Sequence, residues 1–118
     1  PLSRVPDMVR SIEETAKKYE LECVVCGHIG EGNMHPDIFK PDQMELREWE
    51  SYSEAFFADL IRHAVDMGGI GSGEHGVGFV KKPFLTETKG EVEIGLMRRI
   101  KQAFDPDWIL NPGKIVDS

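Results

Sequence analysis

Apolar positions along this chain fall into three helical stripes, interrupted by two short extended runs and one glycine-rich loop. Between residues 4 and 19, Val5, Met8, Ile12, Ala16 and Tyr19 recur at steps of three and four, which predicts an amphipathic helix. The following run, LECVVCG at 21–27, is short, apolar and β-branched and reads as a buried strand. IGEGN then breaks the regular pattern with two glycines, and HPDIF continues as a second short strand with Pro36 near its start or on an edge. A long helix is expected from Pro41–Asp42 to about Met67, with Trp49, Ser53, Phe56, Phe57, Leu60, Ala64 and Met67 on its core face. GGIGSGEHGVG follows, with six glycines in eleven residues, and KKPFL and the segment after it read as irregular. Glu91 to Phe104 is a third helix on a stripe of Ile94, Met97, Ile100 and Phe104, and the Pro-bounded tail PDWILNPGK cannot be helical throughout. Helices and antiparallel strands that do not alternate strictly define an α+β class with three main helices. A two-stranded sheet is marginal alone, so further strands are expected from upstream or from a partner.

Composition narrows the function. The chain has 118 residues, 40% hydrophobic and 30% charged, which suits one folded domain spanning 1–118. A formal net charge of -7 argues against nucleic acid and anionic membranes as partners. No apolar run approaches the roughly 20 residues of a membrane span, and PLSRVPDMVR lacks the apolar core of a signal peptide. Two cysteines provide no disulfide framework, so a cytoplasmic setting is expected. A start at Pro1 rather than Met fits a piece of a longer chain, although Met removal gives the same start.

Three groups of residues carry candidate chemistry. His28 ends the first strand and His35 begins the second, with the six residues IGEGNM between them. In a hairpin the two imidazoles would face each other across its mouth and offer two ligands to one ion, or they are simply polar loop histidines. Gly71, Gly73 and Gly76 spell G-x-G-x-x-G, but a dinucleotide fingerprint needs a strand before it and a helix opening at it, and here a long helix precedes it. What remains on that loop is an acid and a histidine, Glu74 and His75. Cys23-Val24-Val25-Cys26 is a literal C-x-x-C in an extended run, where positions three apart face opposite ways. Buried structural thiols are the expectation, with a Cys2His2 zinc knuckle through His28 and His35 as the alternative if the Val-Val pair turns. His63 reads as a surface residue and Lys81–Lys82 as a solvated pair.

GHIGEGNMH, SGEHGVGFVKKPFL and AFDPDWILNPGK, in this order and spacing, resemble three successive motifs of the C-terminal domain of FAD-linked oxidases. That family includes D-lactate dehydrogenases, the glycolate oxidase flavoprotein subunit and D-2-hydroxyglutarate dehydrogenase. The resemblance runs from about Val5 to the C-terminus. It implies the later part of a ferredoxin-like cap, with the flavin-binding domain upstream and absent from this chain. It further implies that His28, His35 and Glu74 hold a divalent metal (zinc, manganese or iron), that His75 is the catalytic base, and that Asn33, Asn111 and Lys114 lie near flavin or substrate. Glu31 stands where the family usually has Asp, which keeps the charge at a position that is not a ligand. The implied activity is oxidation of a 2-hydroxy acid, of the glycolate or D-lactate type, by hydride transfer to FAD held mainly upstream; this piece alone is expected to be inactive. Other oxidase subunits and a homo-oligomer remain open as partners. A metal-binding structural module and a ligand-sensing module without chemistry of its own are the alternatives.

Overall fold

The computed structural model describes residues 1–118. The chain divides into two compact units, Pro1–Gly73 and Glu74–Ser118.

The first unit runs α1 (Val5–Lys18), β1 (Cys23–His28), β2 (Asn33–Ile38), α2 (Leu46–Asp66). This is the central α-β-β-α run of a ferredoxin-like β-α-β-β-α-β arrangement. Helix α1 ends as a Schellman cap: the Glu20 N–H donates to Lys17 O at 3.2 Å and the Leu21 N–H to Ala16 O at 2.9 Å, with Glu20 left-handed at φ +54. The cap turns the chain directly into β1 and buries Leu21 against Ala16 in the core. β1 and β2 pair antiparallel, with Cys23 opposite Ile38, Cys26 opposite His35 and His28 opposite Asn33. Side chains alternate, so Cys23, Val25, Met34 and Ile38 share one face and pack on the core of Ile12, Ala16, Leu21, Phe56 and Leu60. Phe56 is fully buried, with Tyr19 and Phe57 edge-on at ring-centroid distances of 6.1 and 5.3 Å. This helix-backed core supplies what two strands lack alone.

The start of α2 differs from expectation. The Lys40 ammonium donates to Pro41 O and Met44 O at 3.0 and 2.8 Å, closing a turn, and the helix begins only at Leu46. Ile61 joins Phe56 and Leu60 as a buried residue, while Ser53, Ala64 and Met67 are only half-buried.

The second unit holds α3 (Lys82–Thr88) and α4 (Glu91–Phe104). All of KKPFL but Lys81, which is the N-cap, is therefore helical, as is the segment after it to Thr88, where irregular chain was expected. Pro83 occupies the first turn, where no intrahelical N–H bond is needed, so it starts the helix instead of breaking it. Leu85, Ile94 and Val116 form the core, with Val77, Met97 and Trp108 packed against it. The tail winds around Asp105, whose buried carboxylate accepts the N–H groups of Ile109 and Leu110 at 3.0 and 2.9 Å and pairs with the Lys101 ammonium. The Lys101 hydrogen bond, more than the two backbone donors, holds this carboxyl below the usual carboxylate range. No helix in either unit is long and apolar enough to cross a membrane.

Candidate metal centre on the hairpin face

Register decides what the hairpin presents away from the core. Alternation places Val24, Cys26 and His28 of β1 beside Asn33, His35 and Asp37 of β2 on the outer face. β2 begins at Asn33, two residues before His35, so the histidines are not directly opposite but diagonal neighbours. Their rings still meet edge to face, with centroids 5.4 Å apart and planes at 86°. Asn33 lies directly across from His28 and shares their face.

The backbone around this pair is drawn tight. A side chain at Gly27 would place its Cβ 2.4 Å from the Asn33 carbonyl, so only glycine permits β1 to run this close to β2 beside His28. The loop between the strands is a single 3-10 turn at Ile29–Glu31 closed by Gly32 at φ +75. Later in the chain, a Cβ at Gly73 would lie 2.5 Å from the Asn33 side-chain oxygen. Residue 73 is thus packed on the same polar face, at the last position of the first unit.

The two cysteines do not converge. Cys23 points to the core and Cys26 to the outer face, because the Val-Val pair extends within β1 instead of turning. The zinc knuckle is thereby excluded. Cys26 is exposed, against the expectation of two buried thiols, and its Sγ lies 3.6 Å from His35 O and 3.9 Å from a carboxylate oxygen of Asp37. Burial pushes the Cys23 thiol up, with a smaller push from Asp37.

In the second unit, Glu74 and His75 open the chain on exposed loop positions, with the His75 Nε2 3.7 Å from a Glu74 carboxylate oxygen. Asn111 is left-handed at φ +48 and its carbonyl accepts the Lys114 N–H at 3.3 Å. The Lys114 ammonium sits 4.8 Å from the centre of the Phe79 ring, and the Ile115 N–H donates to Gly78 O at 2.9 Å. Lys82 is not a solvated cation: it pairs with Asp117 and donates to Gly113 O at 3.2 Å, tying down the same tail. His63, read as a surface residue, is half-buried and joins α2 to α1 through a 2.6 Å contact from its Nδ1 to Ser11 Oγ. Sequence reasoning also missed Asp105, although a single acid between Phe104 and Pro106 at a helix end signals a capped turn.

Two imidazoles meet on one hairpin face, an acid and a histidine follow in the glycine-rich loop, and the comparison with known proteins gives the family in which this arrangement occurs. Residues 1–115 match the model of the FAD linked oxidases, C-terminal domain, and the chain belongs to that family. It is 40% identical to the glycolate oxidase subunit GlcD of Bacillus subtilis over 98% of this chain and 24% of that protein. It is also 40% identical to a D-lactate dehydrogenase of Archaeoglobus fulgidus, over 98% and 25%. A D-2-hydroxyglutarate dehydrogenase of Stutzerimonas stutzeri is 34% identical, over 97% and 25%. The chain thus spans about a quarter of the length of the curated relatives it matches.

Proposed function

We propose that this chain is the metal- and substrate-binding part of an FAD-dependent dehydrogenase that oxidises a 2-hydroxy acid, of the glycolate or D-lactate type, to a 2-oxo acid. The observation that carries the reading is the edge-to-face pair of His28 and His35 on one hairpin face, in a chain whose family is the FAD-linked oxidases. Glu74 completes the ligand set. It follows Gly73, which packs on Asn33 of that face, and one trans peptide carries the chain only about 3.8 Å further. Two imidazole nitrogens and one carboxylate oxygen leave coordination positions open, the pattern of a catalytic ion, and suit zinc, iron or manganese.

A divalent ion here would supply Lewis-acid activation of the substrate hydroxyl, and the flavin of the upstream domain would supply the hydride acceptor. The chain's own residues do the rest. His28, His35 and Glu74 would hold the ion. His75 takes the proton of the substrate hydroxyl as the C–H bond gives up its hydride and the C=O bond forms. Asn33 shares the histidine face, which supports a role for it in hydrogen-bonding substrate or flavin. Asn111 and Lys114 belong to the flavin side. Gly76, left-handed at φ +70, lets the loop turn immediately after His75.

The test is metal content and flavin reduction in the full-length protein. His28→Ala, His35→Ala and Glu74→Gln should each lose bound metal, and with it reduction of flavin by 2-hydroxy acids. Full metal occupancy in all three variants would refute the ligand assignment.

A further inference from the structure

Helix α4 carries more apolar surface than its own unit uses. At 100° per residue, Val92, Leu96, Ile100, Phe104, Met97 and Ile94 sweep roughly 200° of its circumference. Only the Ile94 side of that arc reaches the core: Ile94 is 5% exposed and Met97 packs beside it. The rest of the arc is open, with Val92 80%, Leu96 51%, Ile100 53% and Phe104 83% exposed. The expected stripe of Ile94, Met97, Ile100 and Phe104 is therefore split, its second half facing away from the core. Ile109 and Leu110, just beyond the helix, are 72% and 56% exposed. Glu93 in the first turn and Lys101 in the last turn interrupt this arc, but a row of large apolar side chains exposed along one face marks an interface.

We propose that the Val92–Leu96–Ile100–Phe104 face of α4 docks against the upstream part of the same polypeptide in the full-length flavoprotein. The occupant follows from the proportions. The chain corresponds to the C-terminal domain of its family and covers only 24–25% of relatives that align with it almost from end to end. About three quarters of such a protein precedes this domain and must contact it for a flavin held there to meet a substrate held here. The opposite flank of the helix, with Glu91, Arg98 and Gln102, is polar and suits solvent. The inference rests on the family reading and is independent of the metal ligands.

The experiment uses full-length protein carrying a single cysteine substitution, Leu96→Cys or Ile100→Cys on the apolar face or Glu91→Cys on the polar flank. Maleimide modification of each site is followed by peptide mass spectrometry, with metal content measured on the same samples. The apolar-face sites should react at least roughly tenfold more slowly than the Glu91→Cys site, as groups that react only through local opening do. That protection should persist in samples diluted until light scattering shows a monomer. Modification at the rate of the polar-flank control overturns the proposal. Protection that vanishes in the monomer also overturns it and assigns the face to a second copy of the protein. Loss of metal without loss of protection would sink the metal reading alone.

Discussion

Phe56→Ala should remove much of the stability of the first unit, and with it the platform on which His28 and His35 stand. Phe56 is fully buried and meets Tyr19 and Phe57 edge-on. It belongs to the cluster against which Val25 and Met34 pack from the inner face of the hairpin. Truncation removes the transfer energy of the ring and leaves a cavity, together about 3–5 kcal/mol for a buried phenylalanine. Domains of this size have only about 5–15 kcal/mol in total. At ~4–8 °C per kcal/mol for a domain of 60–100 residues, the melting temperature should fall on the order of 10–40 °C. Phe104→Ala deletes the same atoms from a side chain 83% exposed, and in the 118-residue chain it should cost within about 0.5 kcal/mol. Thermal melts of both variants, with hydrogen exchange read at the amides of β1 and β2, make the comparison. Equal losses in the two variants, or a Phe56→Ala melt within about 1 kcal/mol of the parent, would show that the hairpin does not depend on this core.

On the proposed role of His75 as base, His75→Ala in the full-length protein should keep metal and flavin but slow anaerobic flavin reduction by about 10²–10⁴-fold, the usual share of a general base; a near-parental rate would refute that role. Glu74→Gln should instead lose metal and activity together, as elemental analysis beside the same stopped-flow trace will report. The Asp59 carboxylate accepts hydrogen bonds from Lys18 and Tyr19 at 2.6 and 2.9 Å, and the Lys18 bond chiefly holds it below the ordinary range. Its folded pKa is the lower one, so its contribution is complete above the unfolded value of about 3.9 and is lost as pH falls through the folded value. Acid titrations of Asp59→Asn should lack that part of the acid limb, and an unchanged acid limb would discount the cluster. Cys26 should react with a thiol reagent well before Cys23, which is raised by burial; equal rates would mean that the hairpin faces are not held.

The sequence was most legible where a period was sustained. α1, the two strands and α4 stand close to where the three- and four-residue steps and the β-branched run put them. Legibility failed where one residue type has two uses. Pro83 looks like a breaker and is a helix starter. Lys82 looks solvated and clasps the tail. Cys26 shares a motif with Cys23 but not its face. The α4 stripe was found, but no local rule says which half of an apolar arc meets the core, because that depends on which neighbours the chain brings. At the site, the spacing of His28 and His35 left open a facing pair or two plain loop histidines, and only the family resemblance implied a shared ion. Their diagonal geometry could not be read, since it depends on a pairing register set by the 3-10 turn and Gly32. Asp105 escaped because its partners are backbone groups four and five residues ahead.

The register of β1 on β2 imposes an arithmetic on how this domain can change. Every outer-face residue is paired in parity with an inner-face one, so a slip of one residue in β2 would turn His35 inward and bring Met34 out. A one-residue insertion in the Ile29–Gly32 loop therefore threatens the core and the histidine pair in the same event. A two-residue insertion restores the parity and leaves the faces intact. Length variation at this loop among functional descendants should come in even steps, while the long segment from Phe39 to Glu45, which feeds a helix and not a ladder, is free of any such counting rule.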